Sequence, residues 1–157
     1  MNMTWEKKMQ PLSRRDALVL GVGSAAFVMT GSPALATVPE ADAEIAKFTG
    51  GKTAEAGKIA MELPEIAENG NTVPLSIVVN SPMEPENYVS DILVLADGNP
   101  RPGVAHFRLT PMAGRAEAAT RIRLASTQDI IVIAKTSDGK FFTEQKQVKV
   151  TIGGCGG

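Results

Sequence analysis

The sequence has few of the side chains on which most enzymes and metalloproteins depend. Its 157 residues include one cysteine (Cys155), one histidine (His106) and one tryptophan, and aromatic residues make up 4% of the chain. One histidine and one cysteine cannot supply the ligands of an ordinary zinc or copper site. The sequence suggests neither a Ser-His-Asp triad nor a glycine-rich phosphate loop after a strand. We therefore expect a substrate carrier or interaction module without catalytic residues, metal or cofactor.

A basic excess and a long apolar run are also lacking. The chain has 16 basic and 17 acidic residues, and its net charge of −1 becomes about −3 when only the residues from Thr37 onward are counted. A nucleic-acid-binding domain would have a basic face. The N-terminal apolar run, Leu18 to Phe27, is interrupted by Gly21 and Gly23 and is too short to span a bilayer. We expect neither nucleic-acid binding nor, after removal of the N-terminal segment, membrane attachment.

Residues 1–36 have the composition of an export signal. A basic start precedes the apolar run, and Ala34-Leu35-Ala36 is a small-x-small cleavage site. Arg14 and Arg15 lie in Ser13-Arg14-Arg15-Asp16-Ala17-Leu18, which resembles the twin-arginine export motif, with Ala17 where that motif usually has phenylalanine. We predict a twin-arginine-type signal peptide cleaved after Ala36; an ordinary general secretory signal is the alternative. The twin-arginine route exports folded proteins, so a folded partner carried along would explain its use.

Residues 37–152 predict one antiparallel β-sandwich of immunoglobulin-like type. Pro39 to Phe48 predicts a short helix that Gly50-Gly51 ends. Downstream, apolar residues follow a period of two or form short buried runs, and turn signals such as Asn69-Gly70 and Ser137-Asp138-Gly139 separate them. The seven runs are 59–63, 75–79, 89–96, 105–109, 121–124, 130–134 and 148–152. This number and spacing favour a sandwich, with a barrel as the alternative.

Two groups of polar residues could belong to a site but have simpler interpretations. His106 shares a predicted strand face with Arg108, and we interpret it as a polar or half-buried strand residue. Glu62, Glu65 and Glu68 could form a carboxylate site, but a solvated loop explains them as well.

Three arginines, Arg115, Arg121 and Arg123, could form a patch that faces a partner or attracts an anion. A solvent-facing strand edge is the simpler interpretation of the same pattern.

The chain ends in Gly153-Gly154-Cys155-Gly156-Gly157. Glycine-rich segments remain mobile unless they are held, and chain ends are commonly disordered. At about 3.3–3.6 Å per residue, the thiol could extend roughly 13 Å from Thr151. A single cysteine in an exported protein indicates an intermolecular bond or a free reactive thiol. We predict a flexible arm over residues 153–157 that offers Cys155 to a narrow pocket of another protein.

Four segments resemble the SoxY family, the sulfur carriers of periplasmic thiosulfate oxidation. They are Val150 to Gly157, Glu62 to Asn71, Ala113-Gly114-Arg115 and Ser137-Asp138-Gly139, and the likeness extends over essentially all of residues 37–157. The resemblance implies a periplasmic immunoglobulin-like sandwich paired with a second sandwich protein, SoxZ. It also implies that Cys155 is the covalent attachment point for sulfur intermediates.

The same resemblance implies three transient partners. A haem enzyme joins thiosulfate oxidatively to the carrier thiol, a hydrolase removes sulfate, and a molybdenum–haem dehydrogenase can oxidise the remaining sulfane sulfur. These cofactors belong to the partners. An exposed cysteine supplies some thiolate near neutral pH, as this chemistry requires.

Two other classes fit parts of the pattern. A ubiquitin-like carrier also ends in Gly-Gly but carries sulfur as a terminal thiocarboxylate, and its ATP-dependent activation disagrees with an export signal. A structural sandwich could use Cys155 only to crosslink a homodimer.

Overall fold

The computed structural model describes residues 38–154. They form one α-helix, nine β-strands and a short 3-10 helix, Pro111–Ala113. The helix, α1, spans Val38–Thr49. The strands are β1 (Glu55–Ala56), β2 (Ile59–Glu62), β3 (Ile66–Asn69), β4 (Val73–Val79), β5 (Val89–Ala96), β6 (Gly103–Arg108), β7 (Glu117–Ile122), β8 (Gln128–Thr136) and β9 (Phe141–Ile152).

The strands form two sheets, as the predicted sandwich requires. The larger sheet has the order β1-β9-β8-β5-β6, with β3 also paired to β9, and the smaller sheet has the order β2-β4-β7. Most pairs are antiparallel, but β1 and β3 run parallel to β9. The sequence pattern did not predict these two strands, because neither contains alternating apolar residues over a useful length. The fold is therefore a sandwich rather than a barrel.

The core lies between the two sheets. Its fully buried side chains come from central strands of both sheets and include Leu75, Ile77, Val94, Ile130 and Val132. Alternation along β4 places every second residue in this core, so its burial alternates along the whole strand. Burial of this apolar surface is the main term that stabilises the domain.

Helix α1 covers the outer face of the larger sheet. Ile45 and Phe48 pack on a second buried cluster that contains Leu93, Leu95, Ile133 and Phe141. This cover explains why β5 and β8 are apolar on both faces, as their continuous apolar runs predicted.

The end of α1 is also as predicted. Gly50 and Gly51 have φ values of 63° and 78°, and Gly51 N donates to Ala46 O at 3.1 Å. This left-handed backbone stops the helix. Among residues 38–154, no helix is long and apolar enough to cross a membrane.

Candidate functional site

The candidate site lies at the end of the last strand, where the C-terminal tail, residues 153–157, begins. Strand β9 ends at Ile152, next to β3, whose register pairs Ile66 with Lys149 and Asn69 with Ile152. We predicted Glu68 as part of a solvated loop, but it lies in β3, which pairs with β9 up to the last residue of that strand. Gly70 follows β3 immediately and faces the tail.

Three backbone hydrogen bonds hold the base of the tail. Gly70 N donates to Ile152 O at 2.7 Å, and Gly70 O accepts from Leu124 N at 2.8 Å. Leu124 O in turn accepts from Gly154 N at 2.8 Å. We call Gly70, Leu124, Ala125, Gly153 and Gly154 the tail clasp. Because Gly154 is buried in this clasp, the residue before Cys155 has a defined position on the domain.

The glycines of the clasp allow backbones to approach more closely than any side chain would permit. A Cβ on Gly70 would lie 2.2 Å from Leu124 O, and one on Gly153 would lie 2.1 Å from Ala125 O. A Cβ on Gly154 would lie 2.8 Å from Gly70 O. Glycine is needed at these positions because two backbones approach each other closely. This requirement is separate from the flexibility that glycine also gives a chain.

This geometry corrects the predicted start of the flexible arm. We predicted a free tether from Gly153 onward, but Gly153 and Gly154 are packed against Ala125 and Gly70. The sequence alone could not distinguish glycine used for mobility from glycine used for close contact, because the contacting backbone comes from distant parts of the chain.

The buried side-chain amides of Asn99 and Gln128 hold the segment after β7 that contacts the tail. Asn99 is completely buried; its Nδ2 donates to Arg123 O at 2.8 Å and its Oδ1 accepts from Ala125 N at 2.9 Å. Gln128 Nε2 donates to Asn99 Oδ1 at 2.9 Å, and Gln128 Oε1 accepts from Gly98 N at 2.8 Å. The sequence indicated Asn99 only as part of a turn. Both polar atoms of its side chain are hydrogen-bonded, and these bonds fix residues 123–125, against which the tail packs.

Several predicted site residues lie outside the described range. They are Arg14, Arg15 and Ala36 of the export signal and Cys155, Gly156 and Gly157 of the tail. The thiol assignment, the signal peptide and its cleavage therefore stay predictions.

Of the other predicted polar residues, His106, Glu62 and Glu68 lie on different elements. His106 lies on β6 with Nε2 3.0 Å from Asp91 Oδ1, and its ring is 5.7 Å from that of Phe48 in an edge-on arrangement. This agrees with a polar strand residue. Glu62 and Glu68, which we assigned to a solvated loop with Glu65, are exposed but stand on β2 and β3. Residues 38–154 contain no group of three or more acidic, histidine or cysteine side chains placed to hold a metal ion.

The three predicted arginines do not form one patch. Arg115 pairs with Glu117, with Nε 3.6 Å from Oε2. Arg121 and Arg123 are at the other end of β7, where they line an open groove with Arg101. We had predicted a strand through Leu124; β7 instead ends at Ile122, and Leu124 belongs to the clasp.

Solved structures show the same fold. The structure of the sulfur carrier protein SoxY from Chlorobium limicola f thiosulfatophilum has a TM-score of 0.61 and 29% identity, covering 71% of this chain and 92% of that one. The superoxide reductase (neelaredoxin) from Ignicoccus hospitalis has a TM-score of 0.54 and 16% identity, covering 74% and 95%. At that identity the second likeness shows the fold alone.

Sequence comparison assigns the family. No curated protein matches the chain. The family model described as "Sulfur oxidation protein SoxY" matches residues 45–155, which is more than half of the chain. This match begins within α1, includes all nine strands and every member of the clasp, and ends at the only cysteine. The chain therefore belongs to the SoxY family of sulfur oxidation proteins.

Proposed function

We propose that this protein is a periplasmic sulfur carrier that binds thiosulfate-derived intermediates covalently on Cys155 and presents them to partner enzymes. The observation that carries the proposal is the hydrogen bond from Gly154 N to Leu124 O in a SoxY-family chain. This bond anchors the residue directly before the only thiol of the protein. A rigid sandwich whose thiol directly follows an anchored residue can offer one attachment point to several enzymes.

The chemistry requires only a thiol from this chain. In loading, Cys155 and thiosulfate lose one proton and two electrons and form a Cys–S–S–SO3⁻ adduct; the haem partner accepts the electrons. Hydrolysis then adds water, releases sulfate and a proton, and leaves a cysteine persulfide. A dehydrogenase partner can oxidise the terminal sulfur of the persulfide. The thiolate is the nucleophilic form in the loading step.

Intact mass measurement tests this function. The protein is incubated with thiosulfate and the partner enzymes, with and without each enzyme, and the adduct is located by peptide mapping. We expect an adduct on Cys155 in the wild type and none in Cys155→Ser. Modification of the Gly157 carboxylate would instead indicate a thiocarboxylate carrier, and a reducible homodimer without any adduct would indicate a crosslinking role.

Cys155→Ser should abolish thiosulfate-dependent turnover and leave thermal unfolding nearly unchanged. The reason is that the core and the clasp are formed by residues before Cys155. Circular dichroism melts of both proteins provide the comparison. A large loss of stability in Cys155→Ser would mean that the thiol has a structural role.

We further propose a heterodimer with a SoxZ-like sandwich protein, supported by membership of the SoxY family. Purification of the mature protein from its native source should yield a second small subunit in equal amount. A stable lone monomer would contradict this proposal.

Export by the twin-arginine route is proposed from Arg14 and Arg15. Replacement of both by lysine keeps the charge of the basic start but removes the paired guanidinium groups. We expect the precursor to accumulate in the cytoplasm, which fractionation and immunoblotting will show. Normal export of the double variant would favour the general secretory route.

A further inference from the structure

An arginine-lined groove lies where the two sheets of the sandwich separate. Strand β6 is the edge of the larger sheet and β7 the edge of the smaller one. Between them is an open groove of about 320 Å³ lined by Arg101, Arg121, Arg123, Gly103, Val104 and Ile122. Three of these six residues are exposed arginines. We call this the arginine groove.

Among the described residues, no ion pair neutralises the charges of the groove. The ion pairs found in residues 38–154 join Asp91 to His106 and Arg108, Arg115 to Glu117, and Lys140 to Asp138, and so involve none of the three groove arginines.

Two carboxylates of the helix lie beside one end of the groove. Glu40 and Glu44 of α1, with Lys47, line an adjoining depression to which Arg101 also contributes. Arg121 and Arg123 do not line that depression. They therefore form the more positive end of the groove.

The groove is close to the anchored base of the tail. Arg123 directly precedes Leu124, Cys155 directly follows Gly154, and Leu124 and Gly154 are joined by the 2.8 Å hydrogen bond of the clasp. Covalent geometry adds about 3.8 Å between neighbouring Cα atoms, and hydrogen-bonded backbones are about 5 Å apart. The Cα atoms of Arg123 and Gly154 are therefore at most about 9 Å apart, and Cys155 follows Gly154 by one residue. Each S–S bond of an attached sulfur chain adds about 2 Å to the reach of the cargo.

We propose that the arginine groove binds the terminal sulfonate of the sulfur cargo attached to Cys155. This inference rests on the carrier function proposed above. A sulfonate has three equivalent oxygens and a negative charge, and the planar guanidinium fork binds such oxyanions through paired, charge-assisted hydrogen bonds. Binding in the groove breaks no covalent bond.

The groove would distinguish two states of the carrier. With the sulfonate present, the loaded tail is held against the domain. After hydrolysis releases sulfate, the persulfide that remains has no sulfonate for the arginines to bind. The loaded and the hydrolysed tail would then differ in how tightly they bind to the domain. Partner enzymes could distinguish the two states by this difference.

Chemical loading allows the inference to be tested without the partner enzymes. The Cys155 thiolate attacks a central sulfur of tetrathionate, the central S–S bond breaks, thiosulfate leaves, and Cys–S–S–SO3⁻ remains. Mass spectrometry verifies the loading of the ¹⁵N-labelled mature protein. The Nε–Hε signals of the arginines are then compared with those of the unloaded protein and of protein alkylated with iodoacetamide, which gives a neutral adduct.

We expect the signals of Arg121 and Arg123 to shift in the sulfonate-loaded protein and not in the alkylated protein. Cys155→Ser with the same concentration of free thiosulfate should show no shift. An equal shift in that variant would overturn the tethered assignment and make the groove a site for free anions. Unchanged signals in fully loaded protein would overturn the inference and leave the carrier function intact. Absence of an enzyme-made adduct, with the shifts present, would refute the carrier function alone.

A matched pair of variants separates the groove from net charge. Arg115→Gln removes one positive charge at the opposite end of β7, about 20 Å away at 3.3 Å per residue, and so matches the single variant Arg121→Gln in charge. In Arg121→Gln, the rate of Cys155 modification by tetrathionate relative to iodoacetamide should fall about fivefold, the upper range for an exposed charge pair. The ratio for Arg115→Gln should remain near that of the wild type. An equal decrease in both variants would overturn the inference.

Discussion

Gly70→Ala should destabilise the domain because it inserts a methyl group into the tail clasp. The new Cβ would lie 2.2 Å from Leu124 O, 2.8 Å from Gly154 N and 3.1 Å from Val150 Cγ1. Real Cβ contacts below 3.0 Å essentially never occur, so Leu124 must move by about 0.8 Å. The backbone conformation of Gly70 is not left-handed, so alanine adds no φ strain there.

The size of the effect follows from the hydrogen bonds that Leu124 makes. A shift of about 0.8 Å would lengthen its two 2.8 Å bonds, to Gly70 O and Gly154 N, toward about 3.6 Å, where they no longer count as hydrogen bonds. Each such bond contributes about 0.5–1.5 kcal/mol net. Alanine also lowers the conformational entropy of the unfolded chain, which offsets about 0.4–1 kcal/mol of this loss. The net loss is about 1–2 kcal/mol in the free energy of unfolding.

Thermal unfolding followed by circular dichroism measures this loss. For a domain of this size, about 1–2 kcal/mol corresponds to roughly 4–8 °C in Tm. Gly103→Ala is the matched control, because no atom lies within 4 Å of a Cβ built at Gly103. We expect Gly103→Ala to remain within about 0.5 kcal/mol of the wild type. If the two variants melt at the same temperature, the described clasp is wrong.

The same variant tests whether the clasp positions the thiol. If the proposed partner enzymes need Cys155 in one place, displacement of Gly154 should impair their turnover. Alkylation by iodoacetamide, which needs no such positioning, should keep its wild-type rate. Normal turnover in a destabilised Gly70→Ala protein would mean that the clasp supports stability only.

Two further perturbations examine neighbouring features. Asn99→Ala removes the three hydrogen bonds of a completely buried side chain and leaves their partners without it. We therefore expect the free energy of unfolding in urea to fall by about 2–4 kcal/mol. The exposed Asn71→Ala should lose far less, and equal losses would refute a supporting role for Asn99. The Lys140 ammonium, 2.8 Å from Asp138, and a hydroxyl donated by Thr136 lower the pKa of Asp138 from 3.8 to about 2. The stabilising contribution of the Asp138 carboxylate is therefore complete above about pH 4 and is lost as the pH falls toward 2. Asp138→Asn should flatten this part of the curve of Tm against pH. An unchanged slope would show that the Asp138–Lys140 pair does not stabilise the fold.

The sequence predicted those elements whose signals are local. The apolar runs over 89–96 and 130–134 predicted strands buried on both faces, and β5 and β8 are such strands. The Gly50-Gly51 pair predicted the end of α1 because left-handed backbone favours glycine wherever it occurs. The SoxY resemblance also came from sequence alone, since its motifs are short and specific, and the family match confirms it.

Other features depend on contacts between distant parts of the chain, and only the tertiary structure decided them. Strands β1 and β3 owe their existence to parallel pairing with β9, because they are too short to show a period of their own. The sequence predicted mobility at Gly153 and Gly154, yet their packing depends on Gly70 and Ala125.

The residues proposed to have a function divide in the same way. Cys155 was evident from the sequence as the only thiol, beside glycines at the chain end, because composition and position can be read without a fold. The grouping of Arg101 with Arg121 and Arg123 was not evident from the sequence, because it depends on the edges of the two sheets lying side by side. Periodicity determines which face of a strand is buried, whereas register and sheet order determine which residues from different strands become neighbours, and these are settled only when the whole core packs.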